Sequence, residues 1–383
     1  METPRDVGVV LSGGGVNGVL MELGFLQRLR ASALWSRVAA IFGTSSGALS
    51  GTMAALDRLD ELEAFLLELR PEQAFRPHRL WRLPFLGLYD YALPRTVEER
   101  LGDPVELATR LADAPIEMVV LATDVTDDGR DETGYELVYS SRRTPPETMA
   151  EAVLASAAVS ALVLPVRVAD RIATDGSWVR NFPLAHAYGH PAVELIVSFR
   201  YLPQYPRLGV AALHPLRRRL QRFARIPPVR ALLAELDDAE ARAERGEPAH
   251  LADTIVRLAR VAILRNTLLE ERAANEKDQS LRELRALRRD VLQVVGDGPA
   301  GERVAARFDA ATFPFRHDRL VPRVSVVGST GGISLEPGLR SQPDWTVEAK
   351  QTLIRRGWQL ADDRLAAIGD DVDARLGSAG DGT

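Results

Sequence analysis

Apolar positions near the N-terminus fall into two alternating kinds of run. Val7 to Leu11 is short, β-branched and closed by glycines, the pattern of a strand buried on both faces. Val19 to Ala31 then carries Val19, Leu20, Leu23, Phe25, Leu26 and Leu29 at helical spacing. Val38 to Phe42 repeats the strand pattern, and Ala48 to Leu59 restarts a helix directly after a tight turn. Strand, glycine loop, helix, strand, turn and helix predict the start of a three-layer α/β/α fold with a mainly parallel central sheet.

Further on, Ile116 to Thr123 reads as a strand with Tyr135 to Ser140 pairing beside it. Pro145 to Ala158 reads as a helix of small residues suited to close packing. Val163 to Val168 and Arg171 to Ala173 read as short strands around a turn, and Leu195 to Phe199 as another strand. After about Tyr201 the pattern changes. Leu213 to Val295 is rich in Arg, Glu, Ala and Leu, broken at Pro227-Pro228 and at Gly246-Glu247-Pro248, which predicts a helical insertion. Strand character returns at Val324 to Gly328, and Thr346 to Ile368 forms a last helix. The expected division is a core over 1–204, the helical insertion over 205–320, a strand and helix returning to the core over 321–376, and a flexible tail over 377–383. No internal repeat is visible.

Composition narrows the classes. The 383 residues are 46% hydrophobic, enough for a sizeable core, and the net charge of −5 gives no global basic field for nucleic acid. There is no cysteine, so disulfides, thiolate nucleophiles and cysteine metal sites are excluded together. No basic segment precedes a hydrophobic stretch at the N-terminus, and no apolar run reaches membrane-spanning length. A cytoplasmic protein is expected, with any membrane contact peripheral. No feature of the chain sets an oligomeric state.

Candidate chemistry sits in two turns. Gly43-Thr44-Ser45-Ser46-Gly47 is a G-x-S-x-G pentapeptide directly after a strand, a way to lift a serine hydroxyl to the top of a sheet. Ser45 is the candidate nucleophile. Gly13-Gly14-Gly15 ends the preceding strand, so its backbone N–H groups can face a developing oxyanion, and the Ser46 amide at the next helix start can join them. The base is less direct. Of the six histidines only His317 falls late enough for a Ser-His-Asp order, and it stands in no motif. Asp175, at a strand end before Gly176, offers a carboxylate that could serve Ser45 as a two-residue dyad. An ordinary aspartate is a weak base, so that role requires burial to raise its pKa.

With these residues placed, the chain resembles the patatin-like phospholipases. Gly13-Gly14-Gly15-Val16-Asn17-Gly18 is similar to their glycine-rich oxyanion loop, Gly43-Thr44-Ser45-Ser46-Gly47 to their nucleophile turn, and Asp175-Gly176-Ser177 to their downstream base. Ala155-Ser156-Ala157-Ala158 with Leu164-Pro165-Val166, and Asn181-Phe182-Pro183, match two further stretches in order. The chain departs from the family pattern at Asn17, where Arg or Lys is usual, and at Ser160, where proline is usual. The resemblance implies two-step ester hydrolysis on lipid substrates through a Ser45–Asp175 dyad, with no metal or other cofactor.

Other readings attach to several segments. The glycine loop also spells G-x-G-x-x-G, but the second strand ends in Gly43-Thr44-Ser45 with no acid to hold a ribose, so no nucleotide cofactor is expected. Asp124, Asp127, Asp128, Asp131 and Glu132 lack the ordered spacing of a calcium loop and read as a solvated hairpin. Phe75 to Tyr91 mixes aromatics with arginines and reads either as an acyl-site wall or lid, or as a loop packed on the core. Leu213 to Ile226 spaces apolar residues helically beside five arginines; it reads as a helix packed on the domain with a solvated Arg face, or as one that lies on anionic lipid. Two functional alternatives stay open: a non-lipid carboxylesterase or thioesterase on the same dyad, and a catalytically silent member that binds lipid or protein.

Overall fold

The structure, a computed structural model, describes residues 4–77, 89–127, 134–159, 163–202, 214–248, 251–310, 320–333, 335 and 345–366. Ten strands are present among them. β1 (Val7–Leu11), β2 (Val38–Thr44), β5 (Glu117–Asp124), β9 (Leu195–Tyr201) and β10 (Arg323–Gly328) form the parallel part of the main sheet, in the order β10-β9-β1-β2-β5. β6 (Glu136–Ser140), β7 (Val166–Val168) and β8 (Arg171–Asp175) complete it with antiparallel pairings. β3 (Phe75–Pro77) and β4 (Tyr89–Tyr91) form a separate two-stranded ribbon.

Alternation along the central strands sorts side chains into two cores. Val9 and Leu11 of β1, Ile41 of β2 and Met118 and Val120 of β5 face one helical layer. Val10, Phe42, Val119 and Leu121 face the other. Strands covered on both faces need continuous apolar runs, which explains why they were legible without a polar alternation. The first layer contains α1 (Gly15–Arg30), α2 (Ser46–Ala55) and the C-terminal helix Val347–Ala366. The second contains the helix Leu184–Gly189 and part of the helix Leu251–Val295. The three-layer α/β/α arrangement with a mainly parallel sheet is therefore present.

Several boundaries differ from the expected ones for local reasons. Both α1 and α2 begin inside the glycine-flanked turns, at Gly15 and Ser46. The helix expected over Ala48 to Leu59 stops at Ala55, because Asp57 adopts a left-handed conformation (φ 56°), and a new helix runs from Leu59 to Glu68. The helix Pro299–Asp309 lies within the expected helical insertion but beyond the pattern read over Leu213 to Val295; Pro299 sits at its first turn, where proline starts a helix rather than stopping one. The insertion contains helices His214–Gln221, Pro227–Glu244 and the 45-residue Leu251–Val295. It lies in sequence between β9 and β10, which pair directly in the sheet.

Among the described residues no helix is long and apolar enough to cross a membrane. Residues 78–88, which include most of the aromatic and arginine-rich stretch, and Ser160 lie outside the described residues, as do residues 128–133 and the expected tail. Asp124 is described and is buried, accepting from the Thr126 amide at 2.9 Å and lying 3.4 Å from Arg171; for that residue the solvated-hairpin expectation fails.

Candidate active site

The site forms where β5 outlasts β2. β2 pairs with β5 from Ala40 opposite Glu117 to Thr44 opposite Leu121, and then its chain turns away at Ser45. β6 occupies the opposite edge of β5. The edge that β2 vacates is taken by β8, running antiparallel, with Asp175 opposite Ala122. One edge of one strand thus receives both chain segments in succession, and Ser45 and Asp175 meet at the junction.

Ser45 Oγ donates a hydrogen bond to Asp175 Oδ2 at 2.7 Å. Both residues are buried. Ser45 has φ 56° and ψ −119°, a conformation rare for a residue with a side chain, at the sharp strand-to-helix turn. The flanking glycines make the turn sterically possible. A Cβ on Gly43 would lie 2.2 Å from the Gly47 carbonyl oxygen, a backbone atom that cannot yield. Ser156 fixes the turn from below: its hydroxyl accepts from the Ser45 amide at 2.9 Å and donates to the Leu121 carbonyl at 2.6 Å. Thr44 adds a bond from Oγ1 to the Arg180 carbonyl at 2.9 Å.

Asp175 is held just as firmly. Its amide donates to the Ala158 carbonyl at 3.1 Å, its carbonyl accepts from Thr123 Oγ1 at 2.8 Å, and its Oδ1 accepts from the Ser177 amide at 2.8 Å. Burial pushes its carboxyl pKa above the ordinary range, while hydrogen bonds from Ser177 and Ser45 pull part of the way back. The net direction is upward, toward a usable base.

The glycine loop is placed beside the serine. A Cβ on Gly13 would lie 3.0 Å from Ser45 Cβ and 2.4 Å from both Asn181 Oδ1 and Ser177 Oγ, so only glycine fits between the two turns. The expectation that Gly13 contributes an oxyanion donor is corrected, because its amide already donates to the Asn181 carbonyl at 3.0 Å. Among the described residues the Gly14, Gly15 and Ser46 amides have no such acceptor, and these remain the available donors. Gly18 lies under the Ser46 hydroxyl, where a Cβ would come within 3.1 Å of Oγ, and Gly176 starts the short helix Ser177–Arg180 that follows the acid. Asn17 takes a structural post instead of a charged one: its Oδ1 accepts from the Leu335 amide at 2.9 Å.

Glu22 had not been singled out in the sequence. It is fully buried on α1 and accepts from Ser46 Oγ at 3.1 Å and Ser50 Oγ at 2.9 Å, tying the glycine-loop helix to the nucleophile helix. Burial pushes its pKa up to about 8 against the pull of those two hydroxyls. A lone acid inside the run Val19-Leu20-Met21-Glu22-Leu23 was the available signal.

No histidine serves Ser45 among the described residues. His186 Nε2 is 2.6 Å from Glu136 and His190 Nε2 is 3.2 Å from Glu117. His317 lies outside the described residues. No group of three or more metal-ligating side chains occurs among the described residues.

Ser45, Ser46 and Gly15 line an apolar cavity of about 1060 Å³, its mouth included. Leu49, Met53, Leu66, Leu107, Val153 and Leu154 form part of its wall. The apolar lining suits a hydrocarbon portion of a ligand.

A family model described as patatin-like phospholipase matches residues 9–188. No curated protein matches the sequence. Among solved structures the chain is similar to VipD from Legionella pneumophila, with 14% identity and a TM-score of 0.37 over 95% of this chain and 68% of that one, a likeness too distant to bear on activity. Residues 9–188 of this chain form a patatin-like phospholipase domain, and both Ser45 and Asp175 lie within it.

Proposed function

We propose that the protein is a serine acyl hydrolase of lipid esters, of the phospholipase A, lysophospholipase or acylglycerol lipase type. The observation that carries this reading is the 2.7 Å hydrogen bond from Ser45 Oγ to Asp175 Oδ2 at an apolar cavity. In the first step Asp175 takes the Ser45 proton while Oγ attacks the ester carbonyl carbon. The Gly14, Gly15 and Ser46 amides stabilise the oxyanion. Collapse expels the alcohol or lysolipid, which leaves with the proton from Asp175. Water then gives a proton to Asp175, attacks the acyl-enzyme, and releases the fatty acid as Ser45 is reprotonated.

The elevated pKa of Asp175 supports its role as a base, since burial brings it closer to the working pH. The apolar wall favours a lipid acyl chain over a small soluble acyl group. The test is turnover of phospholipid, lysophospholipid and acylglycerol by wild type and by Ser45→Ala, alongside labelling with a fluorophosphonate probe. Labelling and turnover that both vanish in Ser45→Ala are expected, with a loss on the order of a million-fold in kcat. Undiminished turnover in Ser45→Ala would reject the assignment, and turnover confined to short soluble esters would reject lipid as substrate.

A further inference from the structure

We infer that the helical insertion carries a surface that docks the protein on an anionic lipid bilayer. The inference rests on the lipid-ester reading for its purpose, but its observations are separate from the dyad.

The charge distribution is uneven. From His214 to Ala234 the sequence contains six arginines and no acidic residue, in a chain whose net charge is −5. Arg217 is the member turned inward: it pairs with Asp237 and Glu240, each at 2.7 Å, and so pins the helix His214–Gln221 onto the helix Pro227–Glu244. Arg218, Arg219, Arg222, Arg225 and Arg230 are exposed. None of these five side chains is held in an ion pair with a described residue. Between them, at the bend joining the two helices, Phe223 and Ile226 are 56% and 47% exposed. Arginines that only solvated a helix face would not require apolar side chains set outward among them.

The same insertion projects beyond the edge of the sheet that holds the site. Helix Leu251–Val295 lies against the sheet with Thr267 bonded to Asn181, Glu271 paired with Arg200, and Asp278 paired with Arg323. Asn181 is beside the glycine loop, Arg200 is near the end of β9, and Arg323 is at the start of β10. The helix therefore runs antiparallel to the strands, and the residues before Asn266 overhang the site's edge by roughly 22 Å at 1.5 Å per residue. On this overhang Leu258 and Val261 are 64% and 60% exposed, and Leu268 and Leu269 continue the stripe within about 100° of the helix circumference. Arg257 on the overhang donates to the Gly246 and Glu247 carbonyls, which ties the C-terminal end of the helix Pro227–Glu244 to the overhang.

Basic side chains around outward apolar ones suit an interface where phosphate and carboxylate head groups cover hydrocarbon. A nucleic acid backbone would satisfy the arginines but leave Phe223 and Ile226, set outward among them, without apolar cover.

The experiment uses full-length Ser45→Ala protein, so that substrate turnover cannot alter the membrane, and co-sedimentation with phosphatidylcholine vesicles with or without phosphatidylserine. Binding is expected only with phosphatidylserine present, weakening as salt is added. Adding Arg218→Gln, Arg222→Gln and Arg225→Gln together should lower affinity by on the order of a hundredfold, about fivefold for each charge. Phe223→Ser should weaken binding that persists at high salt. The triple glutamine change made in the Ser45-containing protein should leave hydrolysis of a short soluble ester unchanged, which shows that the fold is intact. Equal affinity for neutral and anionic vesicles, no binding to either, undiminished binding by the triple variant, or retention on heparin without vesicle binding would each overturn the inference. Normal vesicle binding by a wild-type protein that hydrolyses no ester would instead reject the functional reading and leave the docking surface standing.

Discussion

Glu22 offers a quantitative test of how the nucleophile helix is held. Its carboxyl is buried between α1 and α2, and its pKa rises from 4.5 to about 8. Between those values the folded protein keeps a proton that the unfolded chain has released. Stability contributed by the neutral acid is therefore fully present below pH 4.5 and declines as pH rises through the window, by about 1.4 kcal/mol per pH unit. At neutral pH the accumulated loss is about 3 kcal/mol. Glu22→Gln copies the neutral acid in shape and carries no titratable proton. Ser46 and Ser50 can turn their hydroxyls to accept from its amide, and the additional N–H sets a pH-independent cost of about 1 kcal/mol. The variant should thus match or fall slightly below wild type near pH 4.5 and exceed it by about 2 kcal/mol near pH 7. Urea unfolding of both proteins across this range, compared as the difference at each pH, reads the effect directly. A difference that stays flat with pH would refute the account, since it would mean that Glu22 titrates alike in the folded and unfolded chains.

The remaining expectations concern the dyad and the cavity. Ser156→Ala removes the acceptor of the Ser45 amide and the donor to Leu121, and should cost about 2–4 kcal/mol in unfolding free energy together with a lower kcat. Because burial raises Asp175, the acid limb of kcat/KM should lie above the ordinary aspartate range, with activity lost as pH falls through it. Ser177→Ala, by removing a bond that favours the carboxylate, should move that limb to higher pH; an unmoved limb would separate it from Asp175. Leu107→Trp should depress turnover of long-chain esters about tenfold relative to short-chain ones, measured as a ratio of kcat/KM values.

The parts of the fold that sequence patterning reached are those with strong periodicity. β1, β2, β5 and β9 are continuous apolar runs because both faces are covered, and helices such as Val347–Ala366 show their period over many turns. Helix starts in the glycine turns were read late, because a propensity argument does not place helix on Gly15 or on a turn serine. The two turns bearing Ser45 and Asp175 were identifiable, since each needs glycine next to a polar side chain. Their supports were not. Ser156 belonged to a quoted segment, yet no local rule assigns its hydroxyl to an amide 111 positions earlier in the chain. The use of the Gly13 amide by Asn181 is invisible for the same reason, as it depends on which loop passes behind the glycines.

That dependence explains how the proposed dyad could work without the third residue that orients the base in a histidine triad. A carboxylate on a free loop would require an external group to hold it against the serine. Here Asp175 is the last residue of a strand whose ladder position is set by Ala122, and its amide, carbonyl and Oδ1 are all bonded to the backbone or side chains of neighbouring segments. Ser45 is set by the adjoining edge of the same strand and by Ser156, which also bonds to β5 at Leu121. Both partners are therefore registered to β5, and their separation varies only with the bending of one central, doubly covered strand. Orientation that a histidine triad obtains from its acid is supplied here by the sheet. Shifting the β5–β8 register by a single residue would turn the Asp175 side chain to the opposite face and break the pair without changing either residue.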